Sequence, residues 1–363
     1  MTQTLGRTLA GRGHTVTVIG LYPPALAGEE ADHGVRVRRL AGTRLRGCGF
    51  LVNGARLRRE LQCLAAANAI SVVEGPENAL ALMGPSTPGH KIIRLNGGHH
   101  FFSITLGKRP RAWRAWLEKR SFARAEHLCA VSRYVATTTL ELLKLGDTPI
   151  EILPNPVDTD FFRPMPEIPV VPGLIVFAGT LCEKKGIRQL LQAMPEIIAA
   201  VPNAHLAAYG RDSVGPGTGG SYRESLQREL KPVSRDSVKF MAHANHASLP
   251  SKLAQAQVLV YPSHMEAQGI VVLEGMAVGR PVVVSKTGPG PEAIEDGVCG
   301  LLCDPHDPHA IAEAVIRVLR DRALASRLGA AARERALRDS AVDKLVVKNE
   351  EFYCRCLEGC ACD

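Results

Sequence analysis

Two carboxylates stand eight positions apart in an apolar stretch, SHMEAQGIVVLEGMAVGRPVVVS at residues 263–285. They are Glu266 and Glu274. Both can be ordinary solvated charges, but Glu274 lies among apolar residues, where a buried carboxylate without a partner is costly. The spacing therefore indicates a functional polar site built into a buried element.

The local pattern predicts how this stretch folds. VLVYPS at 258–263 is typical of a buried strand, and GIVVLEGMAV after it predicts a helix that begins near Gly269 and stops at Gly279 and Pro281. The first amides of a helix have no partner within the helix, so those of residues 269–272 offer a seat for a diphosphate.

The two carboxylates then lie on either side of that seat. Helical side chains lean toward the N-terminus, so Glu274 can reach back and accept hydrogen bonds from ribose hydroxyls. Glu266, on the preceding loop, can bind the hydroxyls of a second sugar. Two sugars with a diphosphate between them describe a nucleotide sugar, which is the ligand that this stretch predicts.

Further apolar runs predict that this site lies within an α/β fold. Val- and Ile-rich segments alternate with longer patterned segments, which is typical of a mostly parallel sheet. The predicted strands of the first half are 14–21, 70–75, 90–97, 127–132 and 150–155. Those of the second half are 174–179, 204–210, 238–243, 258–263 and 281–285, followed by a helical segment at 308–337.

A proline-rich break, RPMPEIPVVPG at 163–173, predicts a linker between two domains. We expect a first domain at 1–164, with 340–363 packing back on it, and a second domain at 165–339. Two doubly wound α/β domains joined by a hinge would place a ligand cleft between the carboxyl ends of their sheets.

Composition excludes several classes of protein. The chain has 363 residues, of which 45% are hydrophobic, and no apolar run approaches the length of a membrane span. The start lacks the apolar core of a signal peptide, so we expect a cytoplasmic protein with reduced cysteines. Four cysteines close the chain in YCRCLEGCACD, a C-x-C pair of pairs that is an open candidate for a metal site.

The positive charge is concentrated in the first half. Residues 1–164 carry a net charge of +9 and residues 165–363 a net charge of −1. Arginines cluster at 36–47 and at 107–127, where Trp113 and Trp116 lie among them. This pattern fits docking at an anionic membrane surface, or else a solvated helix whose tryptophans face the core. No recognition motif accompanies the charge, so a nucleic-acid partner is not expected.

The chain resembles the family 4 glycosyltransferases, retaining enzymes of the two-domain GT-B fold. Glu266 and Glu274 match the family's E-x7-E motif, and the surrounding residues 261–302 resemble its donor-site block. FAGTLCEKKGIRQLLQAM at 177–194 resembles the first strand, loop and helix of the donor domain. AVSRYVA at 130–136 and ILPNPVDTDFF at 152–162 extend the resemblance over nearly the whole chain.

The resemblance implies roles for residues of the second domain. Lys185 would grip the donor diphosphate and stabilise the leaving group, Glu274 would bind the ribose, and Glu266 would lie near the donor sugar. The remaining donor-site residues on this basis are Gly179, Thr180, Lys184, Gly269, Ile270 and Val271.

The resemblance also points to one loop of the first domain. RLNGGHHFF at 94–102 is similar to the loop on which the family places a histidine that faces the donor sugar. His99 is the first choice and His100 the second, because only one of two adjacent side chains is expected to face the cleft. A buried structural histidine is the alternative. Asn96, Gly97 and His100 are assigned to the acceptor side.

The chain departs from the family pattern at two places. Thr180 stands where the family usually has an arginine, so one phosphate charge lacks a partner unless Lys184 or Arg188 substitutes. In addition, MTQTLGRTLAGRGHTVTVIG opens on the first helix, whereas family members begin with a strand and a Gly-rich loop. We therefore expect either an upstream start or a domain that lacks its first strand.

Together these observations predict a retaining glycosyltransferase that moves a sugar from a nucleoside-diphosphate sugar to a hydroxyl, without a cofactor or an obligatory metal. A lipid-linked or anionic acceptor would fit work on surface polysaccharide or glycolipid at the inner face of the membrane. The alternatives are a non-catalytic nucleotide-sugar-binding subunit or degenerate homologue, and a sugar-nucleotide epimerase on the same fold.

Overall fold

The structure is a computed structural model that describes residues 2–43, 45, 48–84, 86–215 and 219–358. The chain divides into two compact units, Met1–Pro156 with Val342–Asp363, and Val157–Ala341. Residues 157–164, which the sequence analysis places in the first domain, thus belong to the second unit. The reason lies in their contacts, since the amide of Val157 donates to the carbonyl of Ser340 at 2.8 Å and Phe162 packs in the second core.

The first unit contains two sheets. In the three-stranded sheet, of order β1-β3-β2, β1 and β3 are parallel and β2 is antiparallel to β3. The second sheet, of order β4-β5-β6-β7, is parallel throughout. The strands are β1 Thr17–Tyr22, β2 Gly28–Asp32, β3 Val35–Ala41, β4 Val72–Gly75, β5 His90–Leu95, β6 His127–Ala130 and β7 Ile150–Ile152.

The described residues of the first unit form α-helices before the chain enters the second unit. They are α1 Thr2–Gly11, α2 Gly49–Ala67, α3 His99–Thr105, α4 Ala112–Phe122 and α5 Arg133–Leu143. The cap of α5 shows how the sequence sets a helix start: the Ser132 hydroxyl accepts a hydrogen bond from the amide of Val135 at 3.2 Å. The left-handed Lys144 then ends this helix.

The second unit is built on one six-stranded parallel sheet of order β10-β9-β8-β11-β12-β13. Its central strands are buried on both faces, which is why they read as continuous apolar runs rather than as an alternation. The strands are β8 Leu174–Ala178, β9 His205–Tyr209, β10 Val238–Met241, β11 Val258–Tyr261, β12 Val282–Ser285 and β13 Leu301–Cys303.

The α-helices formed by the described residues of this unit are α6 Ile187–Ala200, α7 Tyr222–Glu229, α8 Leu249–Ala254, α9 Ile270–Ala277, α10 Gly290–Ala293, α11 Pro308–Arg320 and α12 Arg322–Asp339. They pack against the sheet in two apolar clusters of buried residues. The single helical segment expected at 308–337 is wrong in one respect. It is two helices, because Asp321 leaves the helical conformation and its side chain caps the amide of Leu324 at 2.9 Å.

The chain ends with α13, Val342–Glu358, which packs on the first unit. Phe352 and Cys356 join Ile92, Cys129 and Leu153 in one buried cluster. Among the described residues, no helix has both the length and the apolar character that a membrane crossing requires.

Candidate functional site

The loop after β8 is shaped by two glycines. The amide of Gly179 donates to the carbonyl of Tyr209 at 2.9 Å, which ties the loop to the end of β9. A short helical turn, Glu183–Lys185, follows and ends at Gly186, whose φ is +68°. A Cβ at Gly186 would overlap the carbonyl oxygen of Pro262, so glycine lets this loop touch the loop after β11.

The two loops bring Lys185 and Glu266 into contact. The carbonyl of Lys184 accepts hydrogen bonds from the amides of His264 at 2.9 Å and Met265 at 3.3 Å. The ammonium of Lys185 then pairs with Oε1 of Glu266, which also accepts from the Ser263 hydroxyl at 3.2 Å. Residues 81 positions apart in sequence therefore meet at the carboxyl ends of β8 and β11.

Helix α9 begins directly after this ion pair. Gly269 is left-handed, with φ +79° and ψ +63°, and it starts the helix at Ile270 as the sequence predicts. A Cβ at Gly269 would lie 3.9 Å from Cγ of Glu266, so the helix start and the ion pair share one location. The amides of Ile270 and Val271 belong to the first turn, where the helix supplies no acceptor.

Glu274 lies in the same helix and is 8% exposed. Burial raises its pKa to about 7, because the charged carboxylate loses its hydration. The Tyr261 hydroxyl is buried as well, and within the described part of the chain it has no hydrogen-bond partner. Its pKa is raised by burial and by the nearby charge of Glu274. The expectation that Glu274 is not an ordinary solvated charge is therefore confirmed.

The sequence offers two cations, Lys184 and Arg188, in place of the arginine that is absent at position 180. Thr180 is exposed. Arg188 donates to Glu183 at 3.0 Å, pairs with Glu229 and lies 5.4 Å from the centre of the Tyr222 ring. These contacts hold the guanidinium of Arg188 against the second unit, and both Lys184 and Arg188 stay predicted substitutes for the missing arginine.

In the first unit, two buried carboxylates hold the loop that carries the histidines. Glu77 accepts a hydrogen bond from the amide of Asn96 at 2.6 Å, and the amide of Gly97 also binds it. Glu118, on α4, accepts from the amides of His99 at 2.7 Å and His100 at 2.9 Å. Burial raises the pKa of Glu77 to about 7.

The two histidines have different environments. The His100 ring is buried and its Nδ1 contacts Glu118, so this histidine contributes to the packing of the loop. His99 is half-buried, and its Nε2 accepts a hydrogen bond from the amide of Arg111 at 2.8 Å. Burial lowers the pKa of His99, which favours the neutral ring that this acceptor role requires. Of the two candidates, His99 is the one with an accessible surface.

The sequence reasoning missed Glu77 and Glu118. Glu118 carried a weak signal, as a single acid in the basic segment GKRPRAWRAWLEKR, but a solvated charge explains that pattern equally well. Its function in the fold depends on Gly98, where a Cβ would overlap Oε1 of Glu118. That contact joins residues far apart in sequence.

Two other expectations concern the tryptophans and the cysteines. Trp113 and Trp116 are 51% and 52% exposed, so the interpretation in which they face the core is wrong. Of the C-terminal cysteines, Cys354 is exposed and Cys356 is buried, whereas Cys360 and Cys362 lie outside the described residues. The described part of the chain contains no group of three or more metal-ligating side chains.

Comparison with known families gives two matches that together cover most of the chain. The model described as Glycosyltransferase Family 4 matches residues 1–161. The model described as Glycosyl transferases group 1 matches residues 158–335.

Known proteins and structures agree with these matches. A GDP-mannose-dependent alpha-(1-6)-phosphatidylinositol monomannoside mannosyltransferase of Mycolicibacterium smegmatis is 31% identical over 284 residues, 72% of this chain and 70% of the relative. A glycogen synthase of Mycobacterium tuberculosis is 28% identical over 291 residues, 79% of this chain and 68% of the relative. The sucrose-phosphate synthase structure from Thermosynechococcus elongatus has a TM-score of 0.81 at 22% identity, covering 97% of this chain and 91% of that one.

Proposed function

Because this chain belongs to glycosyltransferase family 4 and has the GT-B fold, we propose that it transfers a sugar from a nucleoside diphosphate to a hydroxyl acceptor with retention of configuration. The observation that carries the proposal is the meeting of Lys185, Glu266 and the start of α9 at the carboxyl ends of β8 and β11. In open α/β sheets, ligands bind at that edge.

The donor diphosphate is proposed to bind at the start of α9. The amides of Gly269, Ile270 and Val271 and the ammonium of Lys185 supply donors and positive charge to the phosphates. Lys185 pairs with Glu266, so a phosphate that takes the lysine releases the carboxylate for sugar hydroxyls. The two members of this ion pair would thus bind the two sides of the bond that breaks, Lys185 the phosphate and Glu266 the sugar.

Glu274 is proposed to bind the ribose. Its burial makes the ionised form costly, and two ribose hydroxyls would repay that cost by donating to the carboxylate. We propose that Lys185 and the helix amides stabilise the leaving-group charge, in a reaction without an obligatory metal or a cofactor.

With retention, the acceptor hydroxyl attacks on the face from which the diphosphate leaves, and the departing phosphate oxygen takes the proton of that hydroxyl. Charge stabilisation of the diphosphate is then the main catalytic contribution of the protein. We assign the acceptor to the first unit, with the half-buried His99 as its accessible polar side chain and Asn96, Gly97 and His100 shaping the loop.

The acceptor is proposed to be lipid-linked or anionic, in the synthesis of surface polysaccharide or glycolipid, with the enzyme peripheral on the inner face of the membrane. The charge of residues 1–164 and the exposed Trp113 and Trp116 support this. The Mycolicibacterium smegmatis relative is named for a phosphatidylinositol monomannoside, which is a lipid acceptor.

A second candidate is a nucleotide-sugar-binding subunit without catalysis. The exposed Thr180 favours it, because no arginine side chain stands at that position to bind a phosphate. The two candidates differ in whether donor and acceptor give a glycoside with release of nucleoside diphosphate.

A thermal-shift screen with UDP-, GDP-, ADP- and dTDP-sugars tests the donor site. We expect one nucleotide series to raise the melting temperature of the wild type, because a ligand that binds the native state adds stability by mass action. Lys185→Ala and Glu274→Gln should lose that shift, whereas the exposed Lys239→Ala should keep it. Equal shifts in all four proteins would contradict the assignment.

A further inference from the structure

A cavity of about 800 Å³ lies in the second unit, away from the donor residues. Its lining includes Pro172, Gln257 and Pro281, which precede β8, β11 and β12 respectively. The donor residues follow β8 and β11. The cavity therefore lies at the amino edge of the sheet and the donor site at the carboxyl edge, with strands of four or five residues between them, about 13–17 Å long.

Arg280 lines this cavity and has an unusual environment. Its Nε is buried and has no hydrogen-bond partner in the part of the chain that the structure describes, and burial lowers the pKa of its guanidinium. Within the described residues, no carboxylate pairs with it. The charge of this guanidinium, which lines the cavity, is therefore not neutralised by a carboxylate of the described residues.

Two more arginines face the same space. Arg322, the exposed first residue of α12, has no ion pair within the described part of the chain. Arg333 is anchored, because its Nη1 donates to the carbonyls of Thr159 at 2.9 Å, Phe162 at 2.9 Å and Ala277 at 2.7 Å. Those carbonyls carry no full negative charge, and the Arg333 guanidinium also interacts electrostatically with Asp160.

The remaining lining residues do not balance the positive charge of the three arginines. Among the described lining residues, Glu334 is the one acid, and it is exposed. Gln257 is already used, since its Oε1 accepts from the amide of Gly173 at 2.7 Å and its Nε2 donates to the carbonyl of Leu319 at 2.9 Å. Three arginines against one glutamate give the cavity a net positive charge.

We propose that this cavity is a second ligand site, for a small organic molecule that carries a phosphate group. The guanidinium fork matches phosphate oxygens in geometry and charge, and 800 Å³ lies in the range of small-molecule pockets. Val170 and the prolines of the lining offer an apolar surface to the organic part.

One helix runs between the donor residues and this cavity. Helix α9 begins at the donor residues, with Gly269 as its cap, and the chain leaves it through Gly279 to Arg280. Eight helical residues, about 12 Å, thus connect the two sites directly.

The test measures thermal shifts of the full chain with inorganic phosphate and with glucose 6-phosphate, which separate free phosphate from phosphate on an organic body. The proteins are the wild type, Arg280→Met, Arg322→Gln, the donor-site variant Lys185→Ala, and Arg317→Gln as a control exposed on α11. Arg280→Met keeps the length of the side chain and removes only a guanidinium whose Nε has no partner, so it should fold.

We expect glucose 6-phosphate to raise the melting temperature of the wild type, Lys185→Ala and Arg317→Gln equally, and that of Arg280→Met and Arg322→Gln by less than half as much. The nucleoside diphosphate shift should show the opposite pattern, lost in Lys185→Ala and kept in Arg280→Met. The nucleoside diphosphate shifts thus test the donor assignment independently of the second site.

Three results would overturn the second site. They are no shift of the wild type with either probe, a full glucose 6-phosphate shift in both cavity variants, or loss of that shift in Lys185→Ala. A shift with inorganic phosphate alone would reduce the site to one for the free ion.

Discussion

At the residue scale, the buried carboxylate of Glu274 lowers the stability of the fold when it is ionised. The carboxylate is buried in an apolar helix, and its pKa is raised to about 7. In an unfolded chain it would titrate near 4.5. The native state therefore holds this proton more tightly than the unfolded state, so the free energy of unfolding falls as the pH rises from about 4.5 to about 7.

Glu274→Gln removes this titration. At pH 8 we expect the variant to be more stable than the wild type, by up to about 3 kcal/mol, since a shift of one pKa unit corresponds to about 1.4 kcal/mol. At pH 5 the difference should largely vanish, because the wild-type side chain is then neutral as well. Nucleoside diphosphate affinity should fall in the same variant, because an amide cannot accept two charge-assisted hydrogen bonds.

Urea unfolding of both proteins at pH 5 and pH 8 measures the effect. Glu77 titrates in the same range but is present in both proteins, so its contribution cancels in the difference. A glutamine variant that is less stable at pH 8 would show that the carboxylate makes stabilising contacts and is retained for the fold.

Residue types and spacing predicted a buried polar side chain and a helix start at the candidate donor site, because both lie on one short segment with a local signature. Glu274 is conspicuous in an apolar helix, and Gly269 marks the start of that helix. The contact between Lys185 and Glu266, by contrast, depends on the pairing of β8 with β11. Glu77 and Glu118 were missed for the same reason, since their partners lie on other segments.

At the element scale, the site depends on the close approach of two loops at Gly186. A side chain there meets two obstacles: φ is +68°, and a Cβ would overlap the carbonyl oxygen of Pro262. Gly297 has a similar φ of +74° but nothing within 4 Å of a Cβ. Alanine substitutions at Gly186 and Gly297 therefore distinguish the cost of backbone strain from the cost of steric overlap.

Gly297→Ala should lower the free energy of unfolding by about 1–2 kcal/mol, the cost of a left-handed alanine. Gly186→Ala should cost more, by about 1–3 kcal/mol of overpacking in addition, and should weaken nucleoside diphosphate binding because Lys185 and Glu266 move apart. Urea unfolding and nucleotide titration measure the two effects. Equal losses in both variants would mean that the loops need not touch.

The strands that the sequence predicted are confirmed in position, because buried strands of parallel sheets carry continuous apolar runs. Three strands were missed. β2 and β3 carry charges that pair across the ladder, Glu29 with Arg36 and Arg38, and Glu30 with Arg39, so they lack an apolar run. β13 has only three residues. The break between α11 and α12 was hidden because one residue, Asp321, makes it.

At the scale of the whole molecule, charge is separated along the chain. Residues 1–164 carry a net charge of +9, and residues 165–363 a net charge of −1. The exposed aromatic residues of the first unit lie close together, with the Phe50 and Trp113 rings 6.3 Å apart. The arginines of α4 also contact its indoles, with Arg120 5.3 Å from the Trp116 ring. An anionic lipid surface matches both features, because phosphates attract the arginines and indoles prefer the interface.

We therefore expect the full chain to sediment with vesicles of phosphatidylcholine and phosphatidylglycerol but not with phosphatidylcholine alone, and to be released by salt. Replacing Trp113 and Trp116 with serine should lower the partition coefficient about tenfold. Replacing the exposed Val233 and Val298 of the second unit with serine is the matched control and should leave it unchanged. Binding that ignores both salt and lipid charge would remove the electrostatic basis of docking, and an unchanged tryptophan variant would move the contact away from α4.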